Sequence, residues 1–562
     1  MLSKLFRKLT GRGDDDNNNN TNNVQYQQQQ GGAPNVPQAR NVDFDRNDFA
    51  NDDEVVEWTG ETSTSLGKGN DDVPPLTLKF SSLYDPINLK KVKKELPCVL
   101  SLQAASCNID DDKKRSPVDI ICVIDRSGSM SGDPIEMVKD TLGLIVESIG
   151  ENDRLCLIEF ASHASRLTTL KRMTKDGKDS VQRVVDSISA GGGTNISTGI
   201  DLALKVLKGR KYSNPISSIL VLSDGQDNQG GTLGRVESLL RTHDLQDSFT
   251  INSFGYGSSH DADVLNGIAT AKDGVFHFIE QMDNVYDAFA DCLGSLLTTV
   301  AGDVKVRIEA CRSATFPKLA VSKVFMDQKW LKKVNRDPAR YEVSYKQILA
   351  ETSKDIVFIL DTDNKKEEEE KLEAINEENE ESTKEEENEE EEEEVKNSDS
   401  CNVVKVECEY NALSLDGGRK LITQTFVVNT FTGSIFRNGE PKNLDVLRDY
   451  YRVKVAEAIK EAQALAEDNN LDKARENLTA LKTEIEKSEV KNDEKIKHLL
   501  RDLDECKNRM VSATTYQNVG KAWCHNVGSS HYAQESTILT AQYCNTGQER
   551  FRSVWAAKKK YQ

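Results

Sequence analysis

The sequence predicts a multidomain chain of α/β, β and α parts. A doubly wound, mostly parallel sheet is inserted in, or followed by, a β-sandwich, and a helical C-terminal region comes last. Three patterns carry this reading. First, strand-like apolar runs at Val118 to Ile124, Leu155 to Phe160, Ile219 to Leu222, Phe249 to Phe254 and Val275 to Ile279 alternate with helical patterns at about 134–149, 177–189, 196–208, 261–272 and 283–299. Such alternation gives parallel strands with helices on both faces. Second, Val304, Val306, Ile308 and Ala310, and again Val404, Val406, Cys408 and Tyr410, alternate with charged residues, the period of half-buried antiparallel strands. Third, Val455, Ile459, Ala462 and Ala466, then Ala474, Leu478, Leu481 and Ile485, then Ile496, Leu499, Leu500 and Leu503 form apolar helical stripes.

In chain order, residues 1–75 carry Asp and Asn runs and Gln27 to Gln30 within residues 14–30. They hold too few apolar side chains to offset the entropy of ordering, and disorder is expected. Met1 to Thr10 lacks the apolar core of a signal peptide. Its Leu2, Leu5, Phe6 and Leu9 with Lys4, Arg7 and Lys8 would suit a short amphipathic helix making weak contact with a membrane surface. Residues 76–111 contribute sandwich strands at Leu76 to Phe80 and Cys98 to Ala104, and 112–300 the α/β domain. Residues 301–430 complete the sandwich around a disordered acidic insertion, 365–399, whose Glu389 to Glu394 repel one another. A sandwich drawing strands from both flanks is preferred, with a separate C-terminal sandwich as the alternative. Residues 431–562 are the helical region.

Function is concentrated where apolar runs meet oxygen-bearing side chains. The first strand ends in Asp125-Arg126-Ser127-Gly128-Ser129, a later loop reads Gly191-Gly192-Gly193-Thr194-Asn195, and the third strand ends in Ser223-Asp224-Gly225. Ligands of open α/β sheets gather at the carboxyl ends of strands. Ser127, Ser129 and Thr194 as direct or near ligands, with Asp125 and Asp224 bound directly or through water, form an oxygen set for Mg²⁺, with Mn²⁺ or Ca²⁺ as substitutes. Neutral hydroxyls leave the ion electrophilic, so an open position would accept an Asp or Glu carboxylate from a protein partner. Asn195 is placed to cap the helix that follows. Strand alternation points Arg126 away from the metal side.

These three pieces, in this order, resemble the complete metal-ion-dependent adhesion site of the von Willebrand factor type A family. The resemblance covers about residues 117–298 and implies the same fold and a metal at Asp125, Ser127, Ser129, Thr194 and Asp224. The helices beginning near Ala456-Glu457-Ala458, with Ser529-Ser530-His531-Tyr532-Ala533-Gln534, are similar to the intein-like region that follows type A domains in plant RING ubiquitin ligases. A RING needs clustered zinc ligands, and the eleven cysteines contain no C-x-x-C pair.

The formal charge of −20 lies largely in the acidic insertion and gives no basic face for nucleic acid. The odd cysteine count without a disulfide framework suggests a reducing, cytoplasmic compartment. There is no run of 18 apolar residues to span a membrane. The expectation is therefore a non-enzymatic intracellular scaffold that binds an acidic partner through Mg²⁺. The alternative is a substrate-binding subunit of a ubiquitin-ligase assembly or a metal-assisted hydrolase. Hydrolysis would need a base near the metal; His163 and His260 are the best available, but the expected place of each is on the surface or packed in the fold, and Asp227 reads equally as a supporting carboxylate or a turn residue.

Overall fold

A computed structural model describes residues 51–55, 74–88, 95–106, 115–224, 230–245, 249–256, 260–279, 284–336, 339–361, 396–413, 418–432, 441–537 and 539–560. The amphipathic segment 1–10, Asp227 and most of the acidic insertion lie outside the described residues. Three strands precede the α/β domain: β1 (Leu76–Ser82), β2 (Ile87–Asn88) and β3 (Glu95–Ala104).

The α/β domain follows as β4 (Val118–Asp125), α1 (Asp133–Ser148), β5 (Arg154–Phe160), β6 (Ala164–Arg166), β7 (Lys171–Arg172), α2 (Lys175–Ser187), α3 (Ile196–Gly209), β8 (Ile216–Ser223), α4 (Thr232–His243), β9 (Thr250–Tyr256), α5 (Ala262–Thr270), β10 (Phe276–Ile279) and α6 (Val285–Leu297). The sheet order is β10-β9-β8-β4-β5-β6, with β7 also on β5. The pairings among β4, β5, β8, β9 and β10 are parallel, and only β6 and β7 run antiparallel. Strand β4 is buried along its whole length, as a strand covered on both faces must be. Its Ile120, Cys122 and Ile124 enter one apolar layer with α1 and α6, while Ile121 and Val123 enter the other with α3.

Helix α4 has no counterpart among the expected helices. It buries only Thr232 and Val236, too sparse a stripe to show as a period. Helix α3 lies so close to the sheet that a Cβ on Gly199 would stand 2.6 Å from Val123 Cγ1 and 2.9 Å from Phe160 Cδ1. Gly199→Ala is expected to lower stability by about 1–3 kcal/mol through overpacking, measured by urea unfolding.

The second part comprises β11 (Thr299–Ala310), β12 (Ala320–Phe325), β13 (Leu331–Arg336), β14 (Ala339–Leu349), β15 (Ser353–Asp361), β16 (Lys396–Ala412) and β17 (Gly418–Thr432). One sheet runs β1-β3-β15-β12 and the other β13-β14-β11-β16-β17-β2. Strands from before and after the α/β domain therefore share sheets: β15 pairs with β3, setting Ile356 opposite Leu100 and Phe358 opposite Cys98. The period-two strands pair as well, with Val306 opposite Cys408 and Ile308 opposite Val406. Between the sheets, Phe80 of β1 stacks on Phe426 of β17 at 5.5 Å.

The helical region contains α7 (Leu444–Glu467), α8 (Leu471–Glu486), α9 (Glu494–Arg509), α10 (Lys521–Ala533) and α11 (Thr546–Lys560). Asn443 and Asp493 cap α7 and α9 by accepting backbone N–H bonds. The three expected stripes are buried: Val455, Ile459 and Ala462, then Ala474, Leu478 and Ile485, then Ile496, Leu499 and Leu503. Their apolar core is continuous with the sandwich. The region also grips the α/β domain. Asn526 Nδ2 donates to Phe276 O at 2.5 Å, Trp555 enters the core under α1 and α6, and Arg552 Nε donates to Asp291 Oδ1 of α6 at 2.5 Å. Ser529 to Ala533 are the end of α10, where His531 is fully buried with Nδ1 2.8 Å from Tyr543 Oη. No helix among the described residues is long and apolar enough to cross a membrane.

Candidate metal and docking site

Asp125 ends the central strand, so the sheet delivers its carboxylate to the rim where the helices begin. Both oxygens are held from inside: Ser127 N donates to Oδ1 at 2.8 Å and Ser223 Oγ to Oδ2 at 2.6 Å. Ser127 Oγ lies 3.0 Å from Ser129 Oγ. A 3₁₀ turn, Gly128–Met130, raises Ser129 to the surface, while Asp125, Ser127 and Thr194 are buried. The set is thus sunk on one side and open on the other.

Backbone bonds bring the Thr194 loop against the Asp125 loop. Gly191 N donates to Arg126 O at 2.6 Å, Gly128 N to Gly192 O at 3.0 Å and Asn195 N to Ala161 O at 2.9 Å. Gly192 has φ +101° and would set a Cβ 3.1 Å from that of Ala161, so a residue without a side chain is needed. Arg126 turns aside, donating to Gly191 O at 3.0 Å and standing 3.2 Å from Glu159.

Burial pushes the Asp125 carboxyl up to about 6, against the hydrogen bonds from Ser223 and Ser127, and the neighbouring charge of Asp224 adds to the rise. Asp224 is partly exposed, yet its Oδ1 is buried without a hydrogen-bond partner among the described residues. An unpaired buried oxygen beside a buried carboxylate is what a cation would relieve. The oxygen donors fit a hard divalent ion.

One expectation needs revision, and the histidines take the surface and packed places expected of them. Asn195 precedes α3 but makes no side-chain cap; its Oδ1 instead accepts from Ser197 Oγ at 2.7 Å. His163 is exposed, and His260 packs against Phe276 and Phe278 with ring centroids 5.8 and 5.4 Å away. Ser223 was not singled out as a site residue. Its only sequence signal is its place at the polar end of an apolar strand, next to Asp224.

Residues 119–291 match the family described as von Willebrand factor type A domain. This stretch is a type A domain. Domains of this kind mediate protein interaction, in line with the expected protein partner. A von Willebrand factor type A protein from Catenulispora acidiphila shares the fold with a TM-score of 0.53 at 14% identity, covering 83% of this chain and 98% of that one. The likeness of fold thus reaches beyond the type A domain. Among curated proteins, the chain is 34% identical to E3 ubiquitin-protein ligase WAV3 of Arabidopsis thaliana over 206 residues, 35% of this chain and 25% of WAV3. It is 33% identical to E3 ubiquitin-protein ligase WAVH1 of the same plant over 176 residues, 28% of this chain and 26% of WAVH1. The matches thus span about a quarter of the length of these relatives. They overturn the expectation that the protein is not an enzyme, because the named relatives are ubiquitin-protein ligases, an enzyme class.

Proposed function

We propose that the type A domain is the partner-binding element of a ubiquitin-ligase system, holding an Asp or Glu side chain of a protein substrate through a divalent ion, Mg²⁺ in the first instance. The observation that carries this reading is the half-open oxygen cluster, in which Asp224 Oδ1 lacks a hydrogen-bond partner among the described residues beside the buried Asp125. Ser127, Ser129 and Thr194 would hold the ion, with Asp125 and Asp224 directly or through water. The ion would supply an electrophilic position for the incoming carboxylate. The names of the plant relatives support the ubiquitin-ligase setting.

The same reading divides the chain into the type A domain at 112–300, sandwich segments at 76–111 and 301–430, and a helical, intein-like region at 431–562. A reducing intracellular compartment belongs to it. The ten described cysteines are free, and the Cys506 and Cys524 thiols lie 3.4 Å apart.

Titration calorimetry of the whole protein tests the site. Asp125→Ala and Asp224→Ala are each expected to weaken Mg²⁺ or Mn²⁺ binding by about tenfold or more, since a two-carboxylate site has little charge to spare. Thr194→Ala removes one contact without changing charge, and should abolish partner capture as EDTA does. Unchanged metal affinity in both aspartate variants would remove the site assignment.

A further inference from the structure

Residues 51–55 come from the segment expected to be unstructured, yet they lie against the type A domain at the end of the sheet opposite the metal loops. The contact is built from charge and backbone. Arg166 Nη2 donates to Asp52 Oδ1 at 2.5 Å, with the two side chains only 5% and 4% exposed. The same oxygen accepts the backbone N–H of Leu170 at 2.8 Å. Two residues further on, the N–H of Arg172 donates to Asp53 Oδ2 at 2.8 Å. Asp53 N donates to Leu170 O at 3.0 Å, and Arg154 Nη1 donates to Asp53 O at 2.7 Å.

This geometry reads a sequence. Successive carboxylates meet amides two residues apart and a buried guanidinium faces the first of them, so the socket selects two adjacent short acidic side chains. The chain's own occupant fits incompletely. Asp52 Oδ2 is buried without a hydrogen-bond partner among the described residues, so part of the carboxylate's desolvation goes uncompensated.

We infer that Arg154, Arg166 and the backbone of Leu170 to Arg172 form a docking socket for an Asp-Asp dipeptide segment. Asp52 and Asp53 fill it in cis, and a protein partner presenting the same dipeptide takes their place. The socket is independent of the metal site, being made of nitrogen donors at the other end of the sheet.

The test uses the full chain in excess EDTA, so that no metal contributes, and a fluorescein-labelled peptide spanning residues 47–58. By fluorescence anisotropy, the Asp52→Ala/Asp53→Ala protein should bind the peptide. The unaltered protein should bind about tenfold more weakly or worse, because its tethered copy competes. Adding Arg166→Gln to the vacated protein, or replacing both aspartates of the peptide by asparagine, should abolish binding. Failure of a folded vacated protein to bind, or binding indifferent to these changes, would overturn the socket. Amide exchange on the unaltered protein gives a second measurement that needs no variant. The Leu170 and Arg172 amides should exchange at least about tenfold faster than those of β4, through local release of the segment. Exchange as slow as that of β4 would show a fixed structural clamp and overturn the proposal.

Discussion

Arg552→Ala is expected to destabilise the protein by about 3–5 kcal/mol, the cost of leaving one member of a buried ion pair alone. Asp291 of α6 is fully buried, while the Arg552 side chain is 20% exposed. The guanidinium faces the carboxylate with two nitrogens, Nε on Oδ1 and Nη2 on Oδ2. Burial pushes the Asp291 carboxyl up, and the hydrogen bonds and charge of Arg552 pull it back. Arg552 also donates to Thr537 O at 3.1 Å, so it ties α11, the preceding loop and the type A domain together. Urea unfolding measures the loss. Arg552→Lys should recover only part of it, because an ammonium cannot reproduce the two-pronged contact. A loss below about 1 kcal/mol, the range of exposed pairs, would show that α11 rests on the domain without holding it.

Acid should unfold the protein partly through one histidine. His277 on β10 is 2% exposed and stacks on Phe254 at 4.8 Å, and neither ring nitrogen has a hydrogen-bond partner among the described residues. Burial, with the charge of Arg552 adding to it, pushes the ring down to about 3. In the unfolded chain the same ring takes its proton near 6.5. Between these values the unfolded state holds one more proton than the folded state, so stability falls as pH falls. The contribution is intact above about 6.5 and is lost by about 1.4 kcal/mol for each pH unit down towards 3. His277→Phe should keep the stack and remove this slope. Unfolding free energies of the two proteins measured at pH 6, 5 and 4 should therefore diverge, the variant becoming relatively more stable in acid. Parallel curves would exclude His277 as a source of acid sensitivity.

Much of the α/β domain was legible in the sequence because its signals are local. An apolar run such as Val118 to Ile124 declares a doubly covered strand by itself. The glycines before Thr194 and the Ser-Asp pair ending β8 mark loops at the strand ends, where a parallel sheet gathers its ligands. Strand alternation also marked Val306 and Cys408 as positions on half-buried strands, because each strand's own period shows it, while their pairing came only from the fold. Helix α4 was invisible because two buried side chains make no period.

Composition, periodicity and motif order determined the α/β, β and α parts, their order along the chain and the oxygen-bearing residues of the candidate site. Tertiary structure alone decided that β3 and β15, from opposite sides of the type A domain, lie side by side. It also placed Ser223 against Asp125, seated Asp52 and Asp53 on the sheet edge, and bound α11 to α6 through a pair 261 residues apart. The physical reason is common to all four. Each contact joins groups distant in sequence, or polar groups whose local surroundings carry no periodic signal, and an isolated Asp or Arg gives no indication of its partner until the chain has folded.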